Sequence, residues 1–289
     1  MTTLLDMLRP SFLLCHAVYG SMVVGFVVPL VGSYFLLRRL VFWGVALPEV
    51  SAAGISCAFM LQGLGFTLLA GGESGQKHLA ILGSVVFTVA AIVFLAYTEQ
   101  RGGVPEGRVG SLYALAGALA ILFLVWNPGG EAEMLGLLKG EIVTISGHDF
   151  RAMLEVFGLV TAAMFVFQRE FTLVSYDRDM AVTLGRNVLV WDGLLFLIVG
   201  ITVSLGVMTA GPLVIFGFLV IPPMAALPWA RGMLSFCLLA SLVGGFCALG
   251  GFYLSFTRDL PLGPVIVCLA CAVLLVSSAL RKLLRKAGC

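Results

Sequence analysis

The segment PLVGSYFLLRRLVFWGVALPEVSAAG, at 29–54, places an acidic residue well inside an apolar run. One apolar run ends at Arg38-Arg39, and the next begins at Leu40 and contains Glu49. If the second run enters a bilayer as a helix at Leu40, Glu49 lies about 14 Å deep at about 1.5 Å per residue. That depth is close to the midplane of a hydrocarbon core about 30 Å thick. A carboxylate there costs roughly 2.5–3.5 kcal/mol, so Glu49 is predicted to face a pore, a cavity or a partner.

The composition indicates that nearly the whole chain lies in a membrane. Of the 289 residues, 60% are hydrophobic and 11% charged, and the mean hydropathy is +1.09. These values are typical of a polytopic membrane protein, which has lipid as its surroundings. Because the spans use almost all of the sequence, we expect one transmembrane domain over 1–289, with no separate catalytic domain and no nucleic-acid partner.

Nine apolar runs are long enough to cross a membrane. They lie at about 12–37, 40–70, 78–98, 111–126, 150–167, 187–209, 211–229, 233–256 and 262–280. Gly-Pro at 211–212 and Pro-Pro at 222–223 predict a broken or partial helix in the seventh run, of the kind that lines a cavity. Gly44 and Pro48 favour a break or a kink in the helix beside Glu49. The fold class predicted is an all-α polytopic membrane protein of about nine transmembrane helices.

The distribution of positive charge predicts the orientation, because cytoplasmic loops carry an excess of Lys and Arg. With the N-terminus outside and nine alternating spans, twelve of the 17 basic residues lie inside and five outside. The inner set is Arg38, Arg39, Arg101, Arg108, Arg169, Arg178, Arg186, Arg231, Arg281, Lys282, Arg285 and Lys286. The outer set is Arg9, Lys77, Lys139, Arg151 and Arg258. We therefore expect an external N-terminus and a cytoplasmic C-terminus.

The segment REFTLVSYDRDMAVTLGRN, at 169–187, is too polar to span and lies on the inner face in this topology. Asp179, Ala181 and Gly185 follow an acidic–small–Ala–xxx–Gly pattern. A short helix ending at a glycine that turns left-handed makes a compact protrusion. The pattern resembles the cytoplasmic coupling loop of ABC-importer membrane subunits, here at about 170–187, which sits in a groove of the ATPase. An ordinary amphipathic connector remains the alternative.

An ordered set of motifs along the full chain resembles the permeases of the metal-ion ABC-importer family, the zinc, manganese and iron uptake systems. The motifs are GSYFLLRRLVFWGVALPEVSAAG, PEGRVGSLYALAGAL at 105–119, MLGLLKGEIVTIS at 134–146, TAGPLVIFGFLVIPPMAA at 209–226 and DLPLGPVIV at 259–267. The resemblance implies a type II-like ABC importer permease working by alternating access. It implies a cytoplasmic ABC ATPase dimer that uses the ATP, a second permease copy in a homo- or heterodimer, and an extracytoplasmic substrate-binding protein.

The chain departs from that family on the second helix. The family carries an Asp and a His four residues apart, and the matching positions here are Val45 and Glu49. Glutamate remains a hard oxygen ligand, but the imidazole that suits zinc is absent. Glu49 is the candidate metal ligand. The site is re-specified for another substrate, or a different partner permease supplies the usual ligands, or Glu49 gates without coordinating. His16, near the outer end of the first span, is a further candidate to line the translocation path.

The predicted function is the membrane subunit of an ATP-driven importer for a metal ion or a metal-containing small species, in a bacterial inner membrane. The alternative is a self-sufficient secondary transporter or channel with Glu49 as its cation or proton carrier. No GxxxxGK[ST] pattern occurs, so ATP hydrolysis is expected in a separate chain. We also find no HExxH, paired-aspartate or serine–histidine pattern in the spans, so no enzyme activity and no bound cofactor are expected.

Overall fold

The computed structural model describes residues 14–38, 40–63, 73–99, 105–126 and 147–287, and every regular element in those ranges is helical. In chain order the α-helices are α1 (Cys15–Leu37), α2 (Val41–Gly63), α3 (Glu73–Glu99), α4 (Pro105–Val125), α5 (Gly147–Val166), α6 (Gln168–Tyr176), α7 (Arg178–Thr183), α8 (Val188–Ala210), α9 (Pro212–Ala226), α10 (Met233–Arg258) and α11 (Leu262–Ala287). The segment 134–146, which carries one of the family-like motifs, lies outside the described residues.

Eight helices in these ranges are long and apolar enough to cross a membrane, and the count rises to nine with the bent pair α5–α6. The two helices of that pair meet at an angle of 66° between Val166 and Gln168. The prediction of about nine transmembrane helices is confirmed. The expected polar stretch after the fifth span is present as the two short helices α6 and α7.

The seventh span departs from the expected break at its paired prolines. Helix α9 runs through Pro222-Pro223 without interruption and ends in a 3₁₀ turn at Leu227–Trp229. The predicted break at 222–223 is therefore wrong, whereas the one predicted at 211–212 is present, where Gly211 with a φ of +81° separates α8 from the 15-residue α9. Phe218 and Leu219 are buried among neighbouring helices, and this packing holds α9 in place although two backbone N–H groups are lost. Helix α2 is likewise one continuous helix through Pro48.

Two close helix crossings bring the central spans together. A Cβ atom at Gly244 of α10 would collide with the carbonyl oxygen of Gly25 in α1. A Cβ at Gly54 of α2 would lie 2.5 Å from the carbonyl oxygen of Gly83 in α3. Helices without a hydrophobic driving force between them depend on such close backbone approach.

Buried hydroxyl groups connect three of the spans inside this bundle. The Ser51 and Ser84 hydroxyls lie 2.7 Å apart across α2 and α3, and Ser204 of α8 donates to Thr88 of α3 at 3.2 Å. All four side chains are buried. Satisfying hydroxyls in pairs lets polar groups occupy the apolar interior at low cost, and it ties α3 to both neighbours.

Candidate functional site: the Glu49 face and the coupling segment

Helix α2 positions Glu49 against α4. Val45 and Glu49 are both half-buried and share one face of α2, as a spacing of four residues requires. A Cβ atom at Gly117 of α4 would lie 3.3 Å from Glu49 Oε1, so the missing side chain at Gly117 makes room for the carboxylate. Glu49 is therefore covered by a helix that is itself mostly exposed on its other sides.

The donor set around Glu49 is small. Among the residues that the structure describes, no group of three or more His, Cys, Asp or Glu side chains is arranged to hold a metal ion. Glu49 thus offers one carboxylate from α2, and Val45 adds only apolar surface.

His16 lies at the opposite end of α1 from Arg38, where α1 meets the start of α5. Its ring is exposed and packs edge-on against Phe150, with ring centroids 5.7 Å apart. The imidazole Nδ1 lies 3.6 Å from the Cys15 sulfur. A Cβ at Gly147 would lie 3.5 Å from His16 Nε2. The contacts of His16 are therefore with the α1–α5 junction.

The segment predicted to dock an ATPase folds as a compact helical knob. Asp177 caps α7, its carboxylate accepting a hydrogen bond from the Met180 N–H at 2.9 Å. At the other end, Gly185 adopts a φ of +71°. The Gly185 N–H donates to the Val182 carbonyl and the Arg186 N–H to the Ala181 carbonyl, the two bonds of a Schellman motif. The predicted left-handed turn at Gly185 is confirmed.

One side of this knob is anchored and the other is open. Ala181 is fully buried and packs in a small apolar cluster with Val174 and Val188. Asp179 is exposed, as are the apolar side chains of Met180, Val182 and Leu184. An exposed apolar patch rimmed by polar residues is typical of a protein–protein contact.

A three-membered ion cluster holds the knob to two spans. Asp192 of α8 lies 2.7 Å from the guanidinium of Arg38, at the end of α1, and 2.8 Å from that of Arg178, at the start of α7. The Arg38 contact is a close ion pair rather than an aligned hydrogen bond. Arg38 also donates from Nε to the Ser175 hydroxyl at 2.8 Å and lies over the Phe196 ring. The side chains of Arg38 and Asp192 are only 12% exposed.

The sequence signalled part of this cluster. An aspartate one turn inside a span generally pairs with a cation or reaches the surface, and Asp192 pairs with Arg38 and Arg178. Arg38 and Asp192 also lie at the same face in the nine-span topology. That these two residues pair with each other depends on how α1 packs against α8. The spacing along the chain does not show this packing.

Comparisons with known proteins agree with this architecture. Residues 11–281 match the model of the ABC 3 transport family. The chain is 28% identical over 273 residues to the zinc transport system membrane protein TroC of Treponema pallidum, which covers 92% of this chain and 88% of that protein. It is 26% identical over 263 residues to the manganese transport system membrane protein MntC of Bacillus subtilis, covering 89% of this chain and 58% of that protein.

A solved structure shows the same fold. It is that of PsaBC from Streptococcus pneumoniae in complex with Fab, with a TM-score of 0.81 at 21% identity, over 95% of this chain and 94% of that one. The similarity shows that the two chains share a fold. With the family model matching nearly the whole sequence, the chain belongs to the ABC 3 transport family.

Proposed function

We propose that this chain forms the membrane path of an ATP-driven importer for a divalent metal ion. Its place in the family supports a transport subunit, and its similarity to zinc and manganese permeases supports a metal cargo. The observation that carries the proposal is the exposed α7 knob, capped at both ends and pinned by Asp192 at one end of the spans. A secondary transporter works without an ATPase and therefore does not need such a docking element.

The knob is the contact for a separate ABC ATPase dimer. Asp179 and the exposed side chains around it would enter a groove of the ATPase, while Ala181 and Gly185 keep the helix short and closed. ATP is used by that partner, and no cofactor is bound by this chain. The α7 end of the bundle is the cytoplasmic one, which places the N-terminus outside and the C-terminus inside a bacterial inner membrane.

The cargo passes Glu49 in an assembly of two permease copies. A second copy supplies the facing side of the path, and a substrate-binding protein delivers the ion near His16 on the outer side. A single carboxylate suits a hard cation such as Mn²⁺ better than zinc, which prefers imidazole and thiolate ligands. Alternating access then follows from ATP-driven movement of the two α7 knobs.

The test is metal uptake into vesicles that contain the permease, its co-expressed ATPase and its binding protein. Glu49→Gln removes the charge at nearly constant volume, so the chain should fold and insert while Mn²⁺ uptake falls at least about tenfold. Glu49→His should shift preference toward Zn²⁺ in a competition between the two ions. Glu155→Gln is the matched control, because Glu155 is an exposed carboxylate of α5.

Each outcome separates the two parts of the proposal. Normal Mn²⁺ uptake by Glu49→Gln would remove Glu49 from the path but leave the importer assignment intact. Uptake that needs no ATPase would contradict the importer assignment and favour a secondary transporter.

A further inference from the structure

A groove lies between α3 and α8 on the same side of the bundle as the Arg38–Asp192–Arg178 cluster. Its cavity volume is about 810 Å³. The two helices touch at Gly200, where a Cβ would lie 3.5 Å from the Ile92 side chain. Seven residues earlier on α8, a Cβ at Gly193 would meet no atom within 4 Å. The helices therefore diverge over about 10 Å, at 1.5 Å per residue, toward the end that carries α7.

The walls of the groove are mainly apolar, and each wall comes from one face of a helix. Helix α3 contributes residues spaced three, four, seven and eight apart, and α8 does the same from the opposite wall. These residues are Val89, Ile92, Val93, Ala96 and Tyr97 on α3 and Leu189, Asp192, Gly193, Phe196 and Leu197 on α8. Val93 and Leu197 are 62% and 46% exposed, so the groove opens sideways to the surroundings of the bundle.

The depth of the groove matches one leaflet of a bilayer. From Tyr97 at the end of the third span to Val89 is eight residues, or about 12 Å along the helix. Half of a hydrocarbon core about 30 Å thick is about 15 Å. Tyr97 and Tyr176 are exposed at the end of the groove nearest α7. Tyrosines are common at the membrane–water boundary. The apolar part of the groove is thus about as deep as the acyl-chain layer of one leaflet.

The polar end of the groove carries a net positive charge. Of the groove-lining residues that the structure describes, Arg38 and Arg178 are cationic and Asp192 is anionic, which leaves one unit of positive charge among them. Two guanidinium groups carry ten N–H donors, and Asp192 takes up only part of them. The Arg178 side chain is 64% exposed. Guanidinium groups at this position match the geometry of a phosphate, which accepts several charge-assisted hydrogen bonds at once.

We propose that this groove binds an anionic phospholipid, with its phosphate at Arg178 and Arg38 and an acyl chain between α3 and α8. Basic pockets between transmembrane helices bind acidic headgroups by the same combination of charge and apolar depth. The assignment of this site to the cytoplasmic leaflet rests on the orientation proposed above. The lipid site itself does not depend on that orientation. Because Arg178 begins α7, the lipid would contact the coupling segment directly.

The experiment measures lipid binding to the full-length chain by native mass spectrometry after delipidation in detergent. Phosphatidylglycerol and phosphatidylcholine with identical acyl chains are added in separate titrations, and glycerol 3-phosphate is added as a competitor. We expect phosphatidylglycerol to bind roughly fivefold more tightly than phosphatidylcholine, the size expected for one net cationic side chain. Glycerol 3-phosphate should displace neither lipid, because it has no acyl chain.

Two variants separate the parts of the site. A Cβ at Gly193 meets no atom within 4 Å, so Gly193→Trp can project an indole into the groove and should abolish the binding of both lipids. Gly158→Trp is its control, since a Cβ at Gly158 of α5 also meets no atom within 4 Å. Arg178→Gln neutralises the cluster and should remove the preference for phosphatidylglycerol while phosphatidylcholine binding stays. Arg231→Gln, at another exposed arginine, should behave as wild type.

The proposal fails if the two lipids bind the wild type equally, if Gly193→Trp still binds lipid, or if glycerol 3-phosphate competes. None of these results depends on metal uptake, so they leave the proposed transport function untouched. A loss of phosphatidylglycerol preference in Arg178→Gln alone would be sufficient support even if Gly193→Trp does not fold.

Discussion

Glu49 lies against a glycine, and this contact allows its position to be tested separately from its charge. Gly117→Ala adds a methyl group 3.3 Å from Glu49 Oε1, which is tighter than an ordinary van der Waals contact. The carboxylate must then move by a few tenths of an ångström without losing its charge. We expect Mn²⁺ uptake in vesicles to fall severalfold, less than in Glu49→Gln.

The control for this change lies on the same helix. A Cβ at Gly110 of α4 meets no atom within 4 Å, so Gly110→Ala should transport as the wild type does. If Gly117→Ala also transports at the wild-type rate, the exact position of the carboxylate is unimportant and coordination by Glu49 is excluded.

Position 185 needs a residue that tolerates a left-handed backbone conformation, but no neighbouring atom requires that residue to be small. Its φ is +71°, and a Cβ there would meet no atom within 4 Å. A bulky side chain in this conformation costs roughly 1–2 kcal/mol, whereas asparagine tolerates it. Gly185→Trp should insert and fold but lose metal-stimulated ATP hydrolysis with the partner ATPase. Gly185→Asn should retain most of it, and equal activity in both variants would argue against docking through α7.

At the scale of helices, Asp192 joins α1, α7 and α8 through two arginines. Asp192→Asn would leave Arg38, which is only 12% exposed, without its counter-ion. Breaking a buried pair by removing one partner costs about 3–5 kcal/mol. We expect a lower thermal unfolding temperature in detergent and a loss of coupling to the ATPase.

A second ion pair in the same region provides the comparison. Glu170 lies 3.1 Å from Arg186, whose side chain is 50% exposed. Because the Arg186 partner is half-exposed and water screens its charge, Glu170→Gln should cost less than Asp192→Asn. A larger loss of stability in Glu170→Gln than in Asp192→Asn would show that α6, rather than the Asp192 cluster, holds the knob in place.

At the scale of the whole molecule, the proposed orientation is open to labelling. Cysteines in place of Arg178 and Lys286 should react with a membrane-impermeant thiol reagent only from the cytoplasmic side. Cysteines in place of Lys77 and Arg258 should react only from the outside. External labelling at position 286 would overturn the nine-span arrangement with a cytoplasmic C-terminus, and the coupling segment would then lie on the wrong side.

Apolar length was enough to predict the number of spans, and the polar segment with its glycine was enough to predict the short helix α7, but not the division of 168–183 into two helices. These features depend on local sequence, because an apolar run of the right length must form a helix in lipid. The neighbour of Glu49 at Gly117 and the partner of Asp192 at Arg38 depend on contacts between distant segments. A spacing along the chain does not specify which helices touch. The continuous α9 shows the same limit, since packing overrode the local signal of Pro222-Pro223.

The bend between α5 and α6 divides this helix pair into two arms of unequal length. Helix α5 has 20 residues and α6 has nine, or about 30 Å and about 13 Å at 1.5 Å per residue. The short arm leads into α7, and the far end of the long arm, at Gly147, lies beside His16. If the pair turns as a rigid body about its 66° bend, the long end travels about twice as far as the short end. In that case a displacement of about 1 Å at the end that leads into α7 would become about 2 Å at the Gly147 end, because the two arms differ in length.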